Sequence, residues 1–450
     1  MTKYVVTVAL ALVLSISGAL GLSQAPAPRN SSAPAVVAGP DAGTAQGVAA
    51  LEEQVRRVPG DHRAWADLGL GYLNQASTSL DPDLFAEADA AIERSLRILP
   101  RGNVAALANG AAISAAHHRF HEALTQADTA LAIAPYDPIA LGVRVDALTQ
   151  LGRYRAALAA VRTADRRQPG VGTTSRYAYA VELRGDLERA RDLLTDAATS
   201  ASGTDLAHLL SHAADLDRRQ GDLRRARAEL DRALRAVPDD RDSLVGLARL
   251  VVARGRLTSA VARWEDVVEE SPLPEHYIEL GETLEVLGRQ EEARAAYDEA
   301  LAAVHTLEGV GTNTDLELAL FVADHGDAAS ALPLARAEWE RSRSIHAADG
   351  MAWALHARGL DREALRFARL ATRLGTREPS LWAHRGIIEA ALDMPGAATA
   401  HLRQSVAMDP GESPWQRARA REALEELEVG RFTPVRRDVV GPPAPRARRR

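Results

Sequence analysis

Residues 238–272 read PDDRDSLVGLARLVVARGRLTSAVARWEDVVEESP, and this stretch between Pro238 and Pro272 sets the pattern for most of the chain. Two amphipathic helices fit between the prolines, Asp242 to Arg254 and Thr258 to Glu270, with a turn at Gly255. Leu244, Leu247, Ala248 and Val251 recur at the i, i+3, i+4, i+7 spacing that puts them on one side of the first helix, and Ala260, Trp264 and Val267 do the same on the second. Each helix has one apolar stripe and one polar face, so a single pair cannot bury what it exposes. It must stack on a similar pair, and a solenoid of helix pairs follows.

The 450 residues are enough for two or three globular domains, yet the apolar pattern keeps one short period along most of them. Aromatic residues make up only 4%. The interior is therefore expected to be closely approached helices filled by Ala, Leu and Val. The chain has no cysteine, which excludes disulfides, thiolate metal sites, cysteine nucleophiles and a lipoprotein anchor. Lys3 is the only lysine, so the folded body has neither a Schiff-base lysine nor a phosphate-loop GK[ST]. A net charge of −7 argues against a general nucleic-acid binder. The exception is the end of the chain, where Gly430 to Arg450 carries seven Arg against the single Asp438.

After Lys3 an uncharged, mostly apolar run extends from Tyr4 to Leu22. Residues 1–22 are expected to target a membrane, as a cleaved signal or a retained anchor, and to place the body outside the cytoplasm. Residues 23–43, rich in Ala, Pro and Ser, read as a linker. Helical pattern starts near Thr44, with Val48, Leu51 and Val55 as the stripe of a helix that caps the array.

Trp65, Leu68, Gly69 and Tyr72 then stand as W-x2-L-G-x2-Y, followed by Ala88 and Pro100. Tyr277, Leu280, Gly281, Leu284, Gly288, Ala293, Tyr297 and Ala300 repeat the phrase, and Pro135 and Pro169 are 34 residues apart, as are Pro238 and Pro272. In these residues the chain resembles the tetratricopeptide repeat family. The resemblance implies an all-α, right-handed superhelical solenoid of about ten helix pairs with capping helices. Its second helices would begin near Ala88, Ala123, Ala157, Ala190, Ala226, Ala260, Ala293, Ala331, Ala364 and Ala398. The array is expected over 44–304 and 314–427, divided by a glycine-containing seam at 305–313, with Pro333 inside the following second helix. The first unit carries an insertion from Ala76 to Asp83, Pro414 to Leu427 forms a terminal polar cap, and 428–450 is a basic Pro/Arg-rich tail suited to anionic lipid headgroups or envelope polymers.

The resemblance also implies that first helices line a concave groove that takes a peptide. The groove candidates are Arg176 and Tyr179; His208, His212 and Asp215; Asp242 and Arg249; Glu275, Glu279 and Glu282; Glu317 and Leu320; and Trp353. The family's lysine-based carboxylate clamp is absent. Glu275, Glu279 and Glu282 share one helix face and repel one another by a few tenths of a kcal/mol, which makes them either a solvated face or a docking stripe for a basic segment. On that reading, neutralising all three leaves stability equal or higher. His208, His212 and Asp215 have a helical spacing compatible with a metal, without the thiolates or HExxH glutamate that strengthen such a signal. His117, His118 and His121 lie at a turn between helices and receive no role.

No nucleophile elbow, phosphate loop or acid pair is present, so neither catalysis nor a cofactor is expected. The expected protein is an exported or membrane-anchored bacterial scaffold that binds a protein or peptide, with membrane contact through its N-terminal segment and no nucleic acid. A metal-handling accessory protein and a purely structural spacer are the alternatives.

Overall fold

The computed structural model describes residues 45–76, 83–309, 313–408, 411 and 413–430. The membrane-targeting run 1–22, the linker 23–43, most of the insertion after Ala76 and the tail beyond Gly430 lie outside the described residues. Among those described, no helix is long and apolar enough to cross a membrane.

The described residues form twenty-two helices and no strand. A single helix, α1 (Ala45–Arg57), is followed by ten pairs. These are α2 (His62–Ala76) with α3 (Asp83–Ile98), α4 (Val104–Ala116) with α5 (Phe120–Ile133), and α6 (Pro138–Gln150) with α7 (Tyr154–Arg167). Next come α8 (Val171–Glu182) with α9 (Leu187–Ala198), α10 (Gly203–Arg219) with α11 (Leu223–Ala236), and α12 (Arg241–Ala253) with α13 (Leu257–Glu270). The last four pairs are α14 (Pro274–Val286) with α15 (Gln290–Gly309), α16 (Asp315–His325) with α17 (Ala328–Arg341), α18 (Ile345–Ala357) with α19 (Asp361–Ala371), and α20 (Pro379–Ala391) with α21 (Pro395–Val406). A final helix, α22 (Pro414–Glu428), ends the superhelical array.

Small residues decide how the pairs close. The ten alanines that mark the second helices, Ala88 through Ala398, are each at most 2% exposed, because each sits where the two helices of its pair cross. Glycines on first helices allow the close approach: a Cβ on Gly69 would stand 3.0 Å from the Ala88 carbonyl oxygen, and one on Gly281 would run into the Tyr297 ring. Bulk is supplied beside the crossing, where Trp264 is fully buried with Val261 and Val267. Close packing of this kind tolerates no change of volume at the crossing.

The reference pair corrects one expectation. On α12 the most buried positions are Ser243, Val245, Ala248, Leu250 and Val252, whereas Leu244, Leu247 and Val251 are only partly buried. A first helix touches its own second helix and the first helices on both sides. Its buried face is therefore wider than one stripe.

Among the described residues, the turn within eight pairs has a residue of positive φ. Six are glycines, Gly152, Gly185, Gly221, Gly255, Gly288 and Gly359, while His118 (φ 57°) and Asp393 (φ 58°) hold the same position in the second and tenth pairs. Helix α15 continues through Gly309, so the first residues of the expected seam are helical, and α17 carries Pro333 inside an unbroken span. Tyr297 and Leu301 pack on the cluster that contains Phe321, Val322, Met351 and Trp353.

The array coils tightly enough for its two halves to touch. The turns of the early pairs meet the loops of the late ones in order. Asn313 Nδ2 lies 2.9 Å from His118 Nδ1, and the His118 ring is 3.7 Å from the Glu338 carboxylate. The Arg343 N–H donates to the Gln150 carbonyl at 2.7 Å, and the Ile345 N–H donates to the Tyr154 hydroxyl at 2.7 Å. Further along, Thr376 Oγ1 donates to the Leu183 carbonyl at 2.5 Å and Arg219 Nη2 to the Arg377 carbonyl at 2.9 Å. Burial holds this contact together as well: Tyr154, Leu183, Ile345, Leu381 and Trp382 form one apolar cluster.

Candidate functional site

First helices face the inside of the coil, and their polar side chains pair from one unit to the next. Arg176 on α8 is buried and grips Asp146 on α6 through Nε at 2.9 Å and Nη2 at 2.8 Å. Gly142 leaves room for this guanidinium, whose carbon lies 3.0 Å from where a Cβ would stand. Burial nevertheless pushes the Asp146 carboxyl above its ordinary range, against the pull of Arg176.

The predicted histidine stripe belongs to the same ladder. His208 Nε2 lies 3.1 Å from Ser175 Oγ, and burial, with the charge of His212, keeps its ring less basic than usual. His212 Nε2 is 3.0 Å from Glu182 Oε2. Burial works against its charged form, but Glu182 more than offsets this and makes it more basic. Arg218 Nη2 donates to Asp215 at 2.6 Å. Although burial raises the Asp215 carboxyl, Arg218, Arg219 and Arg249 hold it well below the usual carboxylate range. With each side chain engaged elsewhere, the three do not converge. No group of three or more His, Cys, Asp or Glu among the described residues is placed to hold a metal ion, so the metal-handling alternative lacks a donor set there.

The acidic stripe is not a free solvated face. Glu279 accepts two bonds from Arg249, through Nε at 3.1 Å and Nη2 at 2.5 Å. Glu282 is 5% exposed, accepts from Ser413 Oγ at 2.5 Å and lies 3.6 Å from His325. Burial keeps its carboxyl above the ordinary range. Of the three, Glu275 alone keeps a buried oxygen, Oε1, with no hydrogen-bond partner. Beside it on α16, the Glu317 carboxyl is pushed up to about 8, chiefly by burial and then by the charges of Glu275, Glu338 and Asp315.

Between α10, α12 and α14 the ladder leaves a recess of about 310 Å³. Its walls include His208, Ser211, His212, Asp215, Asp242, Arg249, Glu275 and His276. Asp242, paired with Arg241 at 3.0 Å, has a side chain 52% exposed. Six of the predicted groove residues thus share one cavity. Arg176 and Glu282 are instead buried beyond its edges, and Tyr179, 37% exposed, lies outside it.

Trp353 belongs to a second part of the concave face. Its Nε1 donates to Asp324 at 2.9 Å, and its ring stacks on His384 at 3.9 Å and on His356 at 4.9 Å. Sequence reasoning missed most of this surface: Asp324, His325, His384, Trp415 and Arg419. The available signal was complementary polar residues at matching positions of successive first helices, as in Asp146 with Arg176 and Asp349 with His384 at 2.9 Å.

The sequence pattern of the tetratricopeptide repeat family matches residues 113–172, 213–272 and 246–305. No curated protein sequence matches the chain. Among solved structures, a tetratricopeptide repeat protein from Parabacteroides merdae is 17% identical, with a TM-score of 0.42 over 58% of this chain and 99% of its own. A thermophilic TPR protein of Thermus thermophilus is 21% identical, with a TM-score of 0.37 over 42% of this chain and 99% of its own. Human IFIT1, solved as a dimer with PPP-AAAA, is 13% identical, with a TM-score of 0.44 over 80% of this chain and 85% of its own. The ten helix pairs and the matched segments agree in one conclusion: this chain carries tetratricopeptide repeats, across residues 113–172 and 213–305.

Proposed function

We propose that the chain is a non-enzymatic scaffold of a bacterial cell envelope, exported or membrane-anchored, that binds a segment of a protein partner on its concave face. The observation that carries the reading is the open recess between α10, α12 and α14, where Glu275 keeps an unpartnered buried oxygen and Asp242 remains half in solvent. A basic side chain entering there gives the Glu275 carboxylate a partner. Cations concentrate in a concave surface lined by carboxylates, so the partner segment carries Arg or Lys and binds in a salt-dependent way.

A photocrosslinking residue placed at Ser211 or Asp242 in cells tests this, with Arg263, exposed on α13, as the control position. Adducts of one defined partner are expected from the recess and not from Arg263, and Glu275→Gln reduces their yield. Equal capture from both positions refutes the binding face. Deleting residues 1–24 is expected to move the protein from the membrane fraction to the soluble one, and unchanged fractionation counts against the proposed location.

A further inference from the structure

Helix α22 does more than cap the last pair. Its second half does so: Ala420 and Ala423 are buried with Ala383 and Leu402, and Leu424 and Leu427 pack against them. Its first turns reach across the concave face of the seventh to ninth pairs. Ser413, its N-cap, donates to Glu282 on α14 at 2.5 Å. The Trp415 ring lies 4.4 Å from His325 on α16, and Arg419 donates to Asp324 at 2.7 Å. The Arg419 guanidinium stands 4.6 Å from the Trp415 ring and 5.4 Å from that of Trp353 on α18.

These contacts complete a column. Tyr297 stacks on His325 at 4.4 Å, Trp415 and Arg419 fill the middle, and Trp353 stacks on His384 at 3.9 Å. Only the middle two members come from α22. The outer members are fixed without it: His325 lies between Glu282 and Glu285, at 3.6 and 3.5 Å, and Trp353 is held by Asp324. Between them lies a slot walled by rings, with the Asp324 carboxylate on its floor. That chemistry suits a planar cation carried beside an aromatic ring. Ala420 and Ala423 are the only buried residues of the helix and neither lies in the slot, so the anchoring of its second half is separate from the side chains that fill the slot.

We infer that this slot is a receptor for a helix bearing a Trp and, four residues on, an Arg, and that α22 fills it in cis, so a partner helix of that chemistry binds by displacing Trp415 and Arg419. The inference rests on the reading of the concave face as a binding surface, at a place separate from the recess. A cis competitor lowers apparent affinity by the fraction of time the slot is empty. Weakening α22 therefore raises affinity for the same helix offered in trans.

The probe is a labelled synthetic peptide of residues 411–430, titrated into the full chain. Trp415→Ala with Arg419→Ala is expected to bind it at least about ten-fold more tightly than the unaltered chain does. Adding Asp324→Asn removes the gain, and a peptide lacking the Trp and Arg does not bind. Equal affinity of the double variant and the unaltered chain overturns the inference, as does binding indifferent to Asp324. Should the double variant unfold, hydrogen exchange on the unaltered chain decides: excess peptide must speed exchange over 413–420 more than over 421–428, and no such acceleration overturns the inference. Failure here leaves crosslinking from Ser211 untouched, so the two readings fail separately.

Discussion

The backbone N–H of Arg343 donates to the carbonyl oxygen of Gln150 at 2.7 Å, which ties the end of α6 to the loop that follows α17. Gly152, two residues on, faces the same loop so closely that a Cβ would meet the Arg343 carbonyl oxygen; at Gly185 a Cβ would lie 2.7 Å from that of Gly375. Gly255 has the same left-handed backbone with nothing within 4 Å. The three glycines therefore separate two costs.

Alanine at Gly255 is expected to cost about 1 kcal/mol, the ordinary penalty of a side chain in that conformation. Gly152→Ala and Gly185→Ala should cost clearly more and speed hydrogen exchange around residues 342–345 and 375–377, because they also push the two halves apart. Three equal losses in denaturant titrations would mean that the halves do not touch in solution.

The helix pairs were legible because their signal is local and repeated. Ala260 and Trp264 stand where spacing puts them, and so do the nine other alanines at the same crossing. The contact between halves was not legible, since it joins residues with no periodic relation. His118 illustrates the limit: it occupies a turn position where six other pairs place glycine, a strained choice for a residue with a Cβ. Its reason lies in Glu338 and Asn313 on the far side of the coil. The groove was half legible. Spacing identified the face of α14 that carries Glu275, Glu279 and Glu282, but their partners Arg249, His325 and Ser413 come from three other segments of the chain.

Trp264 fills the space between α13 and its neighbours with no exposed surface. Trp264→Ala should cost about 3–5 kcal/mol and loosen the adjoining pairs. Native-state hydrogen exchange reports it: faster exchange over residues 240–300 is expected, and unchanged protection there would contradict the packing of the reference unit.

Charge removal from the acidic stripe now divides by residue. Glu279→Gln breaks the two-point grip of Arg249, a partly buried guanidinium, and is expected to cost about 1–3 kcal/mol. Glu275→Gln removes a carboxylate that has no bonded partner at Oε1 and lies near Glu317, so thermal stability should stay equal or rise. Glu279 and Glu282 are paired rather than mutually repelling, so a loss is expected at these two positions where repulsion alone would predict none. Melting curves of the single variants, measured side by side, distinguish the residues.

His346 at the start of α18 and Glu378 at the start of α20 give the fold a pH dependence with a definite sign. His346 Nε2 lies 2.9 Å from Glu378 Oε2. Burial disfavours the charged ring, yet the Glu378 carboxylate, helped by Asp349 and Glu182, raises it from 6.5 to about 9. In turn, burial pushes the Glu378 carboxyl up, but His346, and then Arg219 and Ser380, bring it down from 4.5 to about 2. A histidine with a raised value contributes in full below its unfolded value, and that contribution fades as pH climbs from about 6.5 to 9. The glutamate contributes in full above about 4.5, and its share fades as pH falls toward 2. The pair therefore stabilises most between about pH 4.5 and 6.5. His346→Gln keeps a hydrogen-bond donor but no charge, so its melting temperature should fall furthest below that of the unaltered chain near pH 5–6. The gap should narrow steadily up to pH 9. A gap that stays constant from pH 5 to 9 would show that the ring is not charged when it meets Glu378.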